Sequence, residues 1–149
     1  MNSCSRRWIS MALVASVLPF AAACTEHESH AAHAEHPAQV EKIEGSELSR
    51  VTLTEKAAER IDAKTTSVRE QDVDGTTRKV VPYSSLIYDA KGRAWIYTSP
   101  QPRTFVRQQV EVDRVDGDSV FLVEGPAAGT EVASVGVAEL YGTETGVGH

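Results

Sequence analysis

The sequence predicts a mainly β protein: a small β-barrel or β-roll domain with one short helix, preceded by a disordered tether. Three observations carry this. From Arg78 to Val135, short apolar runs alternate with turn residues at a spacing suited to antiparallel strands. Only the stretch after Thr54 joins a capping residue to helical spacing. Thr25 to Ser49 is polar, alanine-rich and nearly free of aromatic and β-branched residues, so it buries too little apolar area to offset its ordering entropy.

The chain begins as a secretory signal. Arg6 and Arg7 form a positive region, Met11 to Phe20 an apolar run, and Ala21-Ala22-Ala23 a small-residue cleavage region. The apolar run falls short of the roughly 20 residues that a membrane span needs. Cys24 follows the alanines, in the position that resembles a bacterial lipoprotein box. Residues 1–23 are therefore expected to be removed and Cys24 to carry the lipid anchor. Residues 24–50 are expected to form a flexible histidine-rich tether, 51–141 a β domain and 142–149 a flexible tail.

Order is expected from Val51. Val51-Thr52-Leu53 alternates as a strand, Thr54 caps a helix over Glu55 to Ile61, and Ala63 to Val68 returns to a strand pattern. Asp72 to Thr77 reads as a polar link containing Gly75. Further strands are expected at Arg78 to Val81, Leu86 to Tyr88, Ala94 to Thr98, Phe105 to Val112, Val120 to Val123 and Glu131 to Val135. Asp89-Ala90-Lys91-Gly92 and Asp116-Gly117-Asp118 supply the hairpin turns, since Gly and Asp tolerate left-handed backbone. Val120 to Val123 is apolar throughout, as a strand covered on both faces should be, whereas Val110 and Val112 alternate with Glu111 and Asp113.

The formal net charge of the 149 residues is −6, and loss of Arg6 and Arg7 with the signal takes it to −8. That balance argues against a nucleic-acid partner, whose phosphates need a basic surface. Cys4 leaves with the signal and Cys24 is spent on the lipid, so no thiol remains for a disulfide or a nucleophile. All five histidines lie between His27 and His36 or at His149, which leaves Ser84 and Ser85 without a base inside the folded domain. The glycines from Gly125 to Gly136 lack the Gly-Lys-Ser/Thr ending of a phosphate loop. No enzyme activity and no required cofactor are expected.

His27, His30, His33 and His36 recur every third residue and suit Zn, Cu or Ni. On a helix each such step turns the side chain back by about 60°, so neighbouring pairs chelate but all four do not converge. A spacer whose histidines meet metal only incidentally is the plainer reading. Arg93, Arg103, Arg107 and Arg114 lie on or beside strands, and Trp95, Tyr97 and Phe105 sit at positions more often occupied by core aromatics.

The Val80–Leu140 region resembles the membrane-proximal part of periplasmic adaptors, the membrane fusion proteins of bacterial efflux pumps. The resemblance rests on Val81-Pro82 entering a strand, an aromatic-bearing hairpin over Asp89 to Tyr97, and the glycine-spaced stretch Gly125 to Gly136. The strand, short helix and strand from Val51 to Val68 resemble, more weakly, part of the family's barrel domain. The lipoyl-like and helical-hairpin insertions have no counterpart here. The resemblance implies an accessory or adaptor subunit on the periplasmic side of the cell envelope. Its partners would be an inner-membrane efflux transporter, docked through Arg93, Arg103 and Arg107, and a full-length adaptor. It also lends weight to heavy-metal cargo. A free-standing metal-binding lipoprotein that reuses the fold is the alternative.

Overall fold

The structure is a computed structural model that describes residues 36–146. Its eleven strands are β1 (Ala38–Lys42), β2 (Ser49–Leu53), β3 (Lys64–Ser67), β4 (Arg69–Val73), β5 (Thr76–Pro82), β6 (Ile87–Tyr88), β7 (Ala94–Gln101), β8 (Thr104–Gln109), β9 (Glu111–Asp116), β10 (Ser119–Glu124) and β11 (Glu131–Val135). Helix α1 (Glu55–Arg60) follows β2, and α2 (Val137–Thr145) follows β11. The larger sheet runs β1-β2-β8-β7-β11-β3 with β6 also paired to β7, the smaller runs β4-β5-β10-β9, and all pairs are antiparallel.

The mainly β expectation holds, and α1 forms as the sequence predicts, with Thr54 Oγ1 accepting the Ala57 N–H at 3.2 Å. The sheets do not close into a barrel. β1, β3, β4 and β9 each keep one unpaired edge, and the chain changes sheet instead of completing a ring. Two of its four crossings are made at single residues: Val68 between β3 and β4, and Val110 between β8 and β9. Both valines are buried in the core between the sheets. Corners of this kind arise where one strand bends from one layer into the other.

The larger sheet is buried on both faces. Val51, Leu53, Tyr97, Phe105 and Ala133 pack with Ala57 of α1 and Val137 and Leu140 of α2. Ile96 and Val132, which alternate with Tyr97 and Ala133, face the smaller sheet and meet Val68, Val81, Val110, Val120 and Leu122. Trp95, Tyr97 and Phe105 are buried, as expected of core aromatics.

Order extends upstream of Val51. β1 lies within the stretch 24–50 read as tether and pairs with β2 from Ala38↔Leu53 to Lys42↔Ser49. Its sequence AQVEK gave little apolar signal because only Ala38 packs inward; the strand is held mainly by its ladder. Residues 24–35 of the expected tether, the signal segment and residues 147–149 lie outside the described residues.

Asp72 to Thr77 is a tight hairpin rather than a link. Asp74 (φ 53°) and Gly75 (φ 78°) are both left-handed, as the favoured two-residue turn requires, and they join β4 to β5. The strand expected over Phe105 to Val112 is two strands divided at Val110. α2 reaches into the expected tail. Its Val137, Leu140, Tyr141 and Glu144 fall at helical spacing on one face, but Gly142 and three threonine or glycine neighbours weaken the pattern. Among the described residues no helix is long and apolar enough to cross a membrane.

Candidate functional site

The arginines singled out for docking do not form one surface. Arg93 and Arg107 come together at Trp95, their guanidinium carbons 5.2 Å and 4.4 Å from its ring centre. Strand pairing causes this: Trp95 and Arg107 lie on adjacent β7 and β8, and Arg93 closes the hairpin that leads into β7. Arg103 sits at the β7–β8 tip, with an exposed side chain and a left-handed backbone (φ 60°). Its carbonyl accepts the Leu53 N–H at 2.9 Å and ties the tip to β2.

Arg107 is internal. Its side chain is 11% exposed, and Nε lies 3.2 Å from Oε2 of Glu144, itself 3% exposed. The contact is ionic without hydrogen-bond geometry, since Nε has no linear acceptor. The Tyr141 ring centre lies 5.4 Å from the guanidinium carbon. Tyr97 donates its hydroxyl to Glu144 Oε2 at 2.5 Å, and the Ser49 N–H donates to Oε1 at 3.4 Å. Burial, and then the bond to Glu144, push the Tyr97 hydroxyl far above the ordinary tyrosine range. This network fastens α2 to the larger sheet, so the docking role assigned to Arg107 is physically closed: its charge is spent inside.

Arg93 is half-committed. Asp89 opens the turn and accepts from the Lys91 and Arg93 N–H groups at 2.9 and 3.0 Å, from Arg93 Nε at 2.7 Å and from Trp95 Nε1 at 3.1 Å. Burial alone would raise the Asp89 carboxyl, but these donors outweigh it and hold the group well below the usual carboxylate range. The arrangement pins Arg93 against Trp95 and leaves part of its guanidinium in water.

Beside this turn lies an open cleft of 710 Å³, lined among others by Tyr88, Arg93, Gln109, Glu111, Val112 and Glu124. It forms where the chain leaves β8 for β9. Glu111 and Glu124 face one another across the β9–β10 ladder, and neither has an ion pair among the described residues. Like charges so placed repel. With Arg93 on the same lining, the cleft presents charges of both signs beside the half-exposed Tyr88.

His36 is exposed just ahead of β1, while His27, His30, His33 and the anchor Cys24 lie outside the described residues. Among the described residues no three His, Cys, Asp or Glu side chains are placed to share a metal. Ser85, in the 3-10 turn Tyr83–Ser85, is fully buried and its Oγ has no hydrogen-bond partner. The feature that sequence reasoning missed is the Glu144–Tyr97–Arg107 network, whose signal was the helical spacing of Val137, Leu140, Tyr141 and Glu144. No protein-family model matches the chain, and neither a curated protein nor a solved structure matches it.

Proposed function

We propose that this chain is a lipid-anchored, non-catalytic accessory or adaptor subunit of an efflux transporter, held on the periplasmic side of the envelope through Cys24. The observation that carries the reading is the order of elements. A strand, short helix and strand (β2, α1, β3) are followed by the aromatic-bearing β6–β7 hairpin and a glycine-spaced run into β11, all within one two-sheet domain. That is the order expected from the adaptor resemblance. Fold likeness leaves activity to the site, and the site gives Arg103 as the one named docking arginine that is free of an internal ion pair among the described residues. The histidine segment joins the reading as the part that takes Zn, Cu or Ni near a metal-exporting pump.

The test is a photo-crosslinking residue in place of Arg103, in cells fed labelled palmitate. The label should enter the wild-type chain and be lost in C24S, and the crosslink should recover an inner-membrane transporter. Recovery of no transporter from a correctly acylated chain would remove the docking role. An unacylated wild-type chain would remove the anchor.

A further inference from the structure

The outward face of the smaller sheet carries a row fixed by register. Arg69 on β4 lies opposite Val80 on β5, Val80 opposite Phe121 on β10, and Phe121 opposite Arg114 on β9. Residues directly opposite in antiparallel strands share a face, so the row crosses all four strands. It points away from Val81, Val120 and Leu122, which occupy the intervening positions and pack between the sheets. Val80 and Phe121 belong to neither core, yet they are only 2% and 4% exposed. Part of their cover is arginine: the Arg114 guanidinium carbon stands 4.8 Å from the Phe121 ring centre.

These arginines differ from Arg107. Arg69 and Arg114 have no ion pair among the described residues, whereas Arg78, also on this face, is paired to Asp113 at 3.2 Å. Two guanidinium groups without ion pairs thus flank a covered apolar strip, whose accessible end is Val123, exposed and two residues beyond Phe121. In a chain of net charge −6 this is a local reversal of sign. Three inter-strand steps separate the arginine backbones, roughly 14 Å.

We infer that this face docks an acidic strip of a partner protein. Two Asp or Glu side chains of the partner take the Arg69 and Arg114 forks, and an apolar side chain rests on the exposed Val123. Bidentate pairing with carboxylates is the geometry a guanidinium is built for. A protein is favoured over a bilayer because Asp116 shares the face, opposite Ser119. Anionic headgroups would meet that carboxylate everywhere, whereas a protein strip places its own charges around it. The inference deepens the docking proposal and rests on it.

The test uses the full-length processed chain and a fluorescein-labelled, glutamate-rich peptide with a central leucine. Binding is followed by anisotropy and by backbone amide shifts. The peptide should bind at about 50 mM salt, weaken as screening increases, and shift the amides of Val80, Phe121 and Val123. R69Q/R114Q keeps most of each stem but removes both charges, and should weaken binding about fivefold or more. R69K/R114K, which keeps charge and loses the fork, should fall between; it carries the comparison if the glutamine pair melts early. Unchanged affinity in both double variants, no peptide binding by the wild type, shifts confined elsewhere, or arginine-dependent binding of phosphatidylserine vesicles without the peptide would each overturn the inference. A crosslinker at Val123 separates the two proposals. Transporter captured from Arg103 but not from Val123 overturns this face and leaves docking standing; capture from neither overturns both.

Discussion

Asp89 shows how one residue in this chain sets a local structure. Four donors converge on its carboxylate and fix the turn, the Arg93 guanidinium and the Trp95 indole together. Because its folded pKa is depressed, the stabilisation is complete above the unfolded value of about 3.9 and is lost as pH falls from there toward the folded value. Glu131, held low by bonds from Ser67 and Thr65, acts with the same sign. Thermal melts should therefore decline on the acid side of about pH 4, and D89N should flatten that decline; an unchanged acid slope in D89N would deny the carboxylate its role. Ser85 makes the opposite case. Its buried hydroxyl is unpartnered, so S85A removes a desolvated polar group and should raise stability by about 1 kcal/mol, or about 4 °C in Tm. A destabilised S85A would mean that the hydroxyl has a partner, such as an ordered water. The Asp89 turn was legible from its Asp-x-x-Gly pattern. The Ser85 environment was not, because nothing local separates a buried serine in a turn from an exposed one.

At the scale of the element, α2 depends on a buried charge. Only Val137, Leu140 and Tyr141 give it apolar contact with the larger sheet, and Glu144 supplies the rest through Arg107, Tyr97 and Ser49. Removing one partner of such a pair strands the other, at a cost of about 3–5 kcal/mol. E144A should lose stability on that scale in urea titrations. Replacing both charges, as R107M/E144M, should recover much of it, because an apolar pair leaves no unpaired charge behind. A near-neutral E144A would show that the helix is held by its apolar face alone. The sequence placed α1 correctly because Thr54 and the alanines after it speak locally. It understated α2, where a buried glutamate on a glycine- and threonine-bearing helix resembles a solvated tail until the arginine across the sheet is known. β1 escaped notice for a related reason: an edge strand needs partners more than it needs apolar residues.

Across the whole molecule, β7, β10 and β11 were legible from alternation and turns, but the division of Phe105–Val112 into β8 and β9, and closure, were not. Whether antiparallel strands make a barrel or two open sheets depends on corners, and Val68 and Val110 look in sequence like ordinary strand residues. The corners have an energetic consequence. β7 gives Ile96 to one core and Tyr97 to the other, and β11 divides Val132 and Ala133 in the same way. Two cores that share a sheet, and a chain that crosses between layers four times, should unfold together. L140A opens the helix-side core and L122A the core between the sheets, each at about 2–5 kcal/mol. Each should move one sigmoidal urea transition to lower midpoint with an unchanged slope, and tryptophan fluorescence and far-ultraviolet circular dichroism should report the same midpoint. If L122A instead split the transition, with β4, β5, β9 and β10 melting first, the smaller sheet would be an independently unfolding unit. Its arginine-bearing face would then be set by local strand pairing rather than by the core beneath it.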